Sequence, residues 1–152
     1  MQYNKHPVWH GSSLAHLSQY IGTDNNRAVL DDPKIVRSMK HLLLENYQTV
    51  RERLLERPAI IDFYLYFIGL RGSLTGGNDQ AEAALLVIDL TNGMIYSGLQ
   101  TNGKIIVFGN HGPDIHQPHY IELPQQLRLW VADAAYQTYA DEPPSKNFEW
   151  RY

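Results

Sequence analysis

The sequence predicts an α+β fold: N-terminal helices followed by an antiparallel four- to five-stranded β-meander and a C-terminal helix. Three observations carry this. Residues 31–57 place apolar side chains at steps of three and four, as amphipathic helices do. Residues 59–108 switch to short apolar runs separated by Gly- and Asn-containing turns. Helical spacing then returns from Leu123 to about Tyr139. The 152 residues suit a single domain, 1–152, with an irregular segment (1–30) holding one short helix and an irregular tail (140–152).

In chain order, Ser12 or Ser13 caps a short helix to about Gln19 with Leu14 and Leu17 inward. Asp31-Asp32-Pro33 is the first strong start signal: Asp accepts from unpaired amides, and Pro loses nothing at the first helical position. The stripe Ile35, Val36, Met39, Leu42, Leu43, Tyr47, Val50, Leu54 and Leu55 follows, divisible at Glu45-Asn46 and ended by Pro58. Ala59–Leu70 reads as one strand, with Ile61, Phe63, Leu65 and Phe67 on one face and Asp62, Tyr64 and Tyr66 on a half-wet one. Gly72–Asp79 reads as a protruding loop, and Ala81–Leu90 as a central strand. Thr91-Asn92-Gly93 and Thr101-Asn102-Gly103 turn the chain into Met94–Gln100 and Lys104–Phe108; Asn-Gly pairs suit hairpin turns with positive φ at both positions. Gly109–Tyr120 is a loop, and the last helix turns Leu127, Trp130, Val131, Ala134 and Tyr136 inward. The expected layering is helices over one sheet face, the other partly open.

Composition narrows the function classes. Thirteen Lys and Arg against sixteen Asp and Glu give a net charge of −3, which speaks against binding nucleic acid by phosphate neutralisation. The absence of cysteine excludes disulfides, thiolate metal sites and a Cys nucleophile. No secretory leader or membrane-length apolar run is recognisable, so the cytoplasm is the expected compartment.

Catalytic motifs are thin. His111, His116 and His119 could clasp a metal with Asp114 or Glu122, but their spacing matches no helical face and a solvated loop is the plainer reading. Gly69–Gly77 lacks the lysine and following helix of a phosphate-binding loop. No serine sits in a Gly-x-Ser-x-Gly elbow. Asp62 and Asp89 are candidates for paired carboxylates because they interrupt apolar strands, although each equally marks a strand end. Tyr64, Tyr66 and Tyr96 on an uncovered sheet face would form an amphipathic contact patch.

The stretch Ala81–Gly109, from the apolar strand Ala-Ala-Leu-Leu-Val-Ile-Asp-Leu through both Thr-Asn-Gly turns, resembles the central hairpins of Ivy-type lysozyme inhibitors. The order of elements is similar from about Asp31 to Val131. That family carries a disulfide-closed Cys-Lys-Pro-His-Asp-Cys loop, whereas Gly72–Gln80 here has neither cysteine nor histidine. The resemblance therefore implies a sheet scaffold whose relatives plug a partner, and not lysozyme inhibition.

The combined expectation is a non-catalytic protein-binding module, most concretely a small cytoplasmic immunity or inhibitor protein that neutralises a bacterial toxin or enzyme by occluding it. Contact is expected at the hairpin tip through Arg71, Ser73, Thr75, Asn78 and Asp79, at Tyr64 and Tyr66, and at His111 and His116. No cofactor, metal, nucleic acid or membrane is called for, and a homodimer through the open sheet face is a further expectation. The alternative is a small enzyme using the loop of His111, His116 and His119, with or without a metal.

Overall fold

The structure, a computed structural model, describes residues 14–74, 82–109, 123–138 and 148–151, with side chains from 136 to 138 and 148 to 150 left aside. A 3-10 turn at Ala15–Tyr20 takes the place of the short helix expected from Ser12. Helix α1 (Asn26–Leu30) is capped by Asn25, whose side chain accepts from the Ala28 N–H. Helix α2 (Pro33–Leu43) starts as the sequence predicts: Asp32 Oδ1 accepts from the N–H of Lys34 at 2.9 Å and of Ile35 at 3.4 Å. The break at Glu45-Asn46 is real, a 3-10 turn at Leu44–Asn46, after which α3 runs Tyr47–Glu56.

Among the described residues seven strands form one sheet: β1 (Arg57–Pro58), β2 (Asp62–Tyr64), β3 (Phe67–Ser73), β4 (Ala83–Asp89), β5 (Ile95–Thr101), β6 (Lys104–Phe108) and β7 (Phe148–Arg151). Strands β2 to β6 are an antiparallel meander, and β1 pairs with β3 on the same edge as β2. Thr101 and Lys104 flank a two-residue turn with Asn102 at φ 51° and Gly103 at φ 75°, as the Asn-Gly pair predicts.

Four expectations are corrected. The single strand over 59–70 is a hairpin: a two-residue loop, Leu65-Tyr66, joins β2 to β3. Period-2 alternation continues through so short a loop, but the inward parity changes from Ile61 and Phe63 to Ile68 and Leu70. Consequently Arg71, Gly72 and Ser73 are strand residues rather than a hairpin tip. The first Asn-Gly turn is longer than two residues, with only Gly93 at positive φ. Asp89 instead organises it, accepting from the Thr91 N–H at 2.8 Å and hydroxyl at 2.5 Å. Within the tail expected to be irregular, β7 pairs parallel with β6.

Parallel neighbours cannot be joined by a hairpin; the chain must cross a sheet face between them. Among the described residues the element between β6 and β7 is α4 (Gln125–Thr138), and it lies on the face opposite α1–α3. Two cores result. On the first face Ile35, Met39, Val50 and Leu54 pack on Ile68, Leu86, Ile88 and Leu99. On the second, Leu127, Val131 and Ala134 pack on Leu85, Val87, Ile105 and Val107.

Candidate functional site

Alternation along the β2 margin sorts its side chains. Ile61 is buried and Phe63 packs against the first core, leaving Asp62 and Tyr64 with the opposite parity, toward the second face; Ile60 precedes β2, where the β1–β3 and β2–β3 registers differ by one residue. Helix α4 packs chiefly over β5, β4 and β6, and Gln126 near its start reaches β3. Ile60 is 57% exposed, Tyr64 43% and the turn residue Leu65 55%. Among the described residues α4 thus closes the centre of the second face while Tyr64 and Leu65 at the end of β2 remain exposed, a more limited opening than the sequence suggested. Of the three tyrosines placed there, Tyr64 is exposed, whereas Tyr66 and Tyr96 are half-buried.

A polar group borders the apolar margin. Arg71 Nη1 donates to Asp62 Oδ2 across the β2–β3 pair, with both side chains partly exposed. The other oxygen, Asp62 Oδ1, is buried above Gly69 and has no hydrogen-bond partner among the described residues. A Cβ at Gly69 would lie 2.6 Å from that oxygen and 3.5 Å from Gln126 Cγ, so a side chain there would displace the Asp62 carboxylate. Gln126, buried near the start of α4, donates through Nε2 to the Phe67 carbonyl at 2.9 Å and fixes the helix beside β3.

At the other end of β2, Tyr66 and Phe67 have ring centroids 4.8 Å apart, and the Tyr66 carbonyl accepts the Leu90 N–H at 2.9 Å. Burial, and then the nearby Asp89 and Tyr66, push the Tyr96 hydroxyl above its ordinary value. Asp62 and Asp89 do not form a carboxylate pair: β3 stands between them, with Gly69 opposite Asp62 and Phe67 opposite Asp89. One is bound by Arg71 and the other caps a turn.

Of the contact residues expected from the sequence, Arg71 and Tyr64 share the second face at opposite ends of the β2–β3 pair, Tyr66 occupies the turn beside Tyr64, and Ser73 ends β3. Thr75, Asn78, Asp79, His111 and His116 lie outside the described residues, as does His119 of the enzymatic alternative. Ile60 and Leu65 were missed. The signal for Leu65 was the parity change after Phe63, visible only once a turn is suspected there. Elsewhere, Arg27, Glu52, Leu55, Glu56 and Leu74 line an open groove of about 390 Å³ on the helical side, with opposing charges along its walls.

Among the described residues no three His, Asp or Glu side chains converge as a metal site would require, and no helix is long and apolar enough to cross a membrane. Comparison of the chain with protein-family models, curated proteins and solved structures finds no match.

Proposed function

We propose that this chain is a non-catalytic protein-binding module that meets its partner along the β2 margin of the second sheet face. The observation that supports this is the grouping of Ile60, Tyr64 and Leu65, three large apolar side chains left about half exposed within six residues. Elsewhere among the described residues only Leu44 and Leu129 are comparably exposed large apolar side chains. Apolar area in water carries a free-energy cost of about 25 cal/mol per Å², which a partner removes by covering it. Tyr64 beside the half-exposed Asp62–Arg71 pair adds the mixture of apolar area and hydrogen-bonding ends found in protein interfaces. The finer reading is an inhibitor or immunity protein that occludes its partner. It draws on the family resemblance and the mildly acidic composition.

The test uses the double variant Ile60→Ser/Tyr64→Ala. Proteins retained by the immobilised wild type from an extract of the source organism are identified, purified and titrated against both forms. The variant is expected to keep its circular dichroism spectrum and to bind at least about tenfold more weakly, about 1.4 kcal/mol. Equal affinity would remove the β2 margin from the interface, and the absence of any saturable protein partner would remove the binding role itself.

A further inference from the structure

We propose that the outer side of α2 is a separate contact surface that seats a short acidic segment of a protein partner. It does not depend on the β2 margin: Ile35 and Met39 bind α2 to the first core, and the outer side faces away from the sheet. Lys34, Arg37, Lys40 and His41 are all exposed there, and α2 contains no acidic residue. On an α-helix these four fall within an arc of about 120°, over a rise of about 10 Å. Lys34, Arg37 and His41 have no ion-pair partner among the described residues. Lys40 stands over the Tyr47 ring, 5.4 Å from its centroid.

Folding explains only part of this arrangement. Lys40 and His41 stand in the last turn, where the helix dipole favours positive charge. Lys34 stands in the first turn, where the dipole opposes it, and Arg37 one turn on adds like-charge repulsion. A chain of charge −3 thus gathers uncompensated positive charge along a single helix, against the preference of that helix's own N-terminal half.

The length of the positive stretch selects the kind of partner. Ion pairs close it at both ends: Asp31 with Arg51 at 2.6 Å before α2, and Glu45 with Arg151 at 3.7 Å after it. Asp32, the cap, lies 2.7 Å from His16. A nucleic acid or an anionic bilayer carries its charge past both ends, where it would meet neutralised pairs on a chain that is negative overall. Insertion into a bilayer is closed off as well, because Ile35, Met39, Leu42 and Leu43 are turned into the core. An acidic protein segment of about two helical turns places carboxylates at the same steps of three and four. Leu44, 67% exposed directly after the row, offers that segment an apolar contact.

Three probes are titrated at about 0.05 M NaCl. They are a synthetic helical peptide with Glu at steps of three and four, a short duplex DNA, and vesicles of phosphatidylcholine and phosphatidylserine in equal parts. The wild type is expected to bind the peptide saturably and more tightly than the DNA or the vesicles. Lys34→Glu/Arg37→Glu is expected to bind it at least about tenfold more weakly, with a thermal midpoint unchanged or higher. The exposed cations outside α2 serve as control, and Arg57→Glu/Lys104→Glu is expected to stay within about twofold of the wild type. Ile60→Ser/Tyr64→Ala is expected to keep full affinity for the peptide, so the two surfaces fail or stand separately. Tighter binding to DNA or vesicles would overturn the acidic segment as the occupant. Absence of saturable peptide binding, or equal weakening in the control, would overturn the surface. If Lys34→Glu/Arg37→Glu melts more than about 4 °C lower, Lys34→Gln/Arg37→Gln is read in its place; the same fall there would assign these cations to folding and overturn the proposal.

Discussion

On the first sheet face, three helices press against the strands so closely that backbone meets backbone: a Cβ at Gly72 would lie 2.2 Å from the Arg53 carbonyl oxygen and 2.7 Å from Leu54 Cα. On the second face a single helix makes the corresponding approach with a side chain, the Trp130 ring lying 2.5 Å from a Cβ at Gly98. Backbone closure leaves no slack because two regular elements would have to move together. Side-chain closure is adjustable, and at the end of β2 Tyr64 and Leu65 remain exposed. The rigid face supports and the looser face is left with surface to offer.

Single glycine substitutions sharpen this contrast most strongly. Gly72→Ala is expected to cost about 3 kcal/mol or more, since the added methyl meets main chain, and Gly98→Ala about 1–2 kcal/mol, since the half-buried Trp130 can shift. Equal losses in urea denaturation would break the distinction between the two faces.

The next effect concerns the ionic clamp beside the first face. Glu82 accepts from the Arg53 guanidinium, from the Thr101 hydroxyl at 2.6 Å and from the Asn102 N–H at 2.9 Å, joining α3, β4 and the β5–β6 turn. Burial pushes this carboxyl up, but the hydrogen bonds and the Arg53 charge prevail and hold it below its ordinary 4.5. A depressed carboxyl contributes stability that is fully present above the unfolded value and disappears as pH falls through the folded one. Glu82→Gln is thus expected to cost about 1.5–3 kcal/mol at neutral pH and to flatten the loss of stability on acidification below about pH 4.5. Asp32 contributes a remaining slope. Burial raises it, yet the His16 side chain and the N–H groups of Lys34 and Ile35 leave it below 3.8. Stability profiles that run parallel from pH 7 to about pH 3 would remove Glu82 from the clamp.

The smallest stability change is expected on the open margin. The Asp62–Arg71 pair is partly exposed, so Asp62→Asn should alter unfolding free energy by less than about 1 kcal/mol. A loss comparable to that of Gly98→Ala would mean that the margin belongs to the closed part of the face.

Much of the architecture was legible because local chemistry had few alternatives. Asp32-Pro33 could cap and begin a helix, Asn102-Gly103 could supply two consecutive positive φ angles, and the weak interior residue Asn46 marked the division between α2 and α3. The β2–β3 hairpin was not legible: Leu65-Tyr66 contains none of the residues that ordinarily announce a turn. Strand β7 was equally hidden, because a four-residue strand pairing in parallel with β6 has its partner far away in sequence. For the candidate site, Tyr64, Tyr66 and Arg71 stood out as residues, but the exposure of Leu65 beside Tyr64 depended on a turn that the hairpin register alone defines.

Sequence by itself determined that helices precede a meander and that a helix closes it, since capping, periodicity and turn geometry act over a few residues. Tertiary structure alone decided which face each helix covers. The parallel pairing of β6 and β7 carries α4 across the second face, over β4 to β6, and leaves Ile60, Tyr64 and Leu65 in water. Pairing between distant strands is a property of the assembled sheet, and it is this pairing that separates the apolar side chains that become core from those that remain surface.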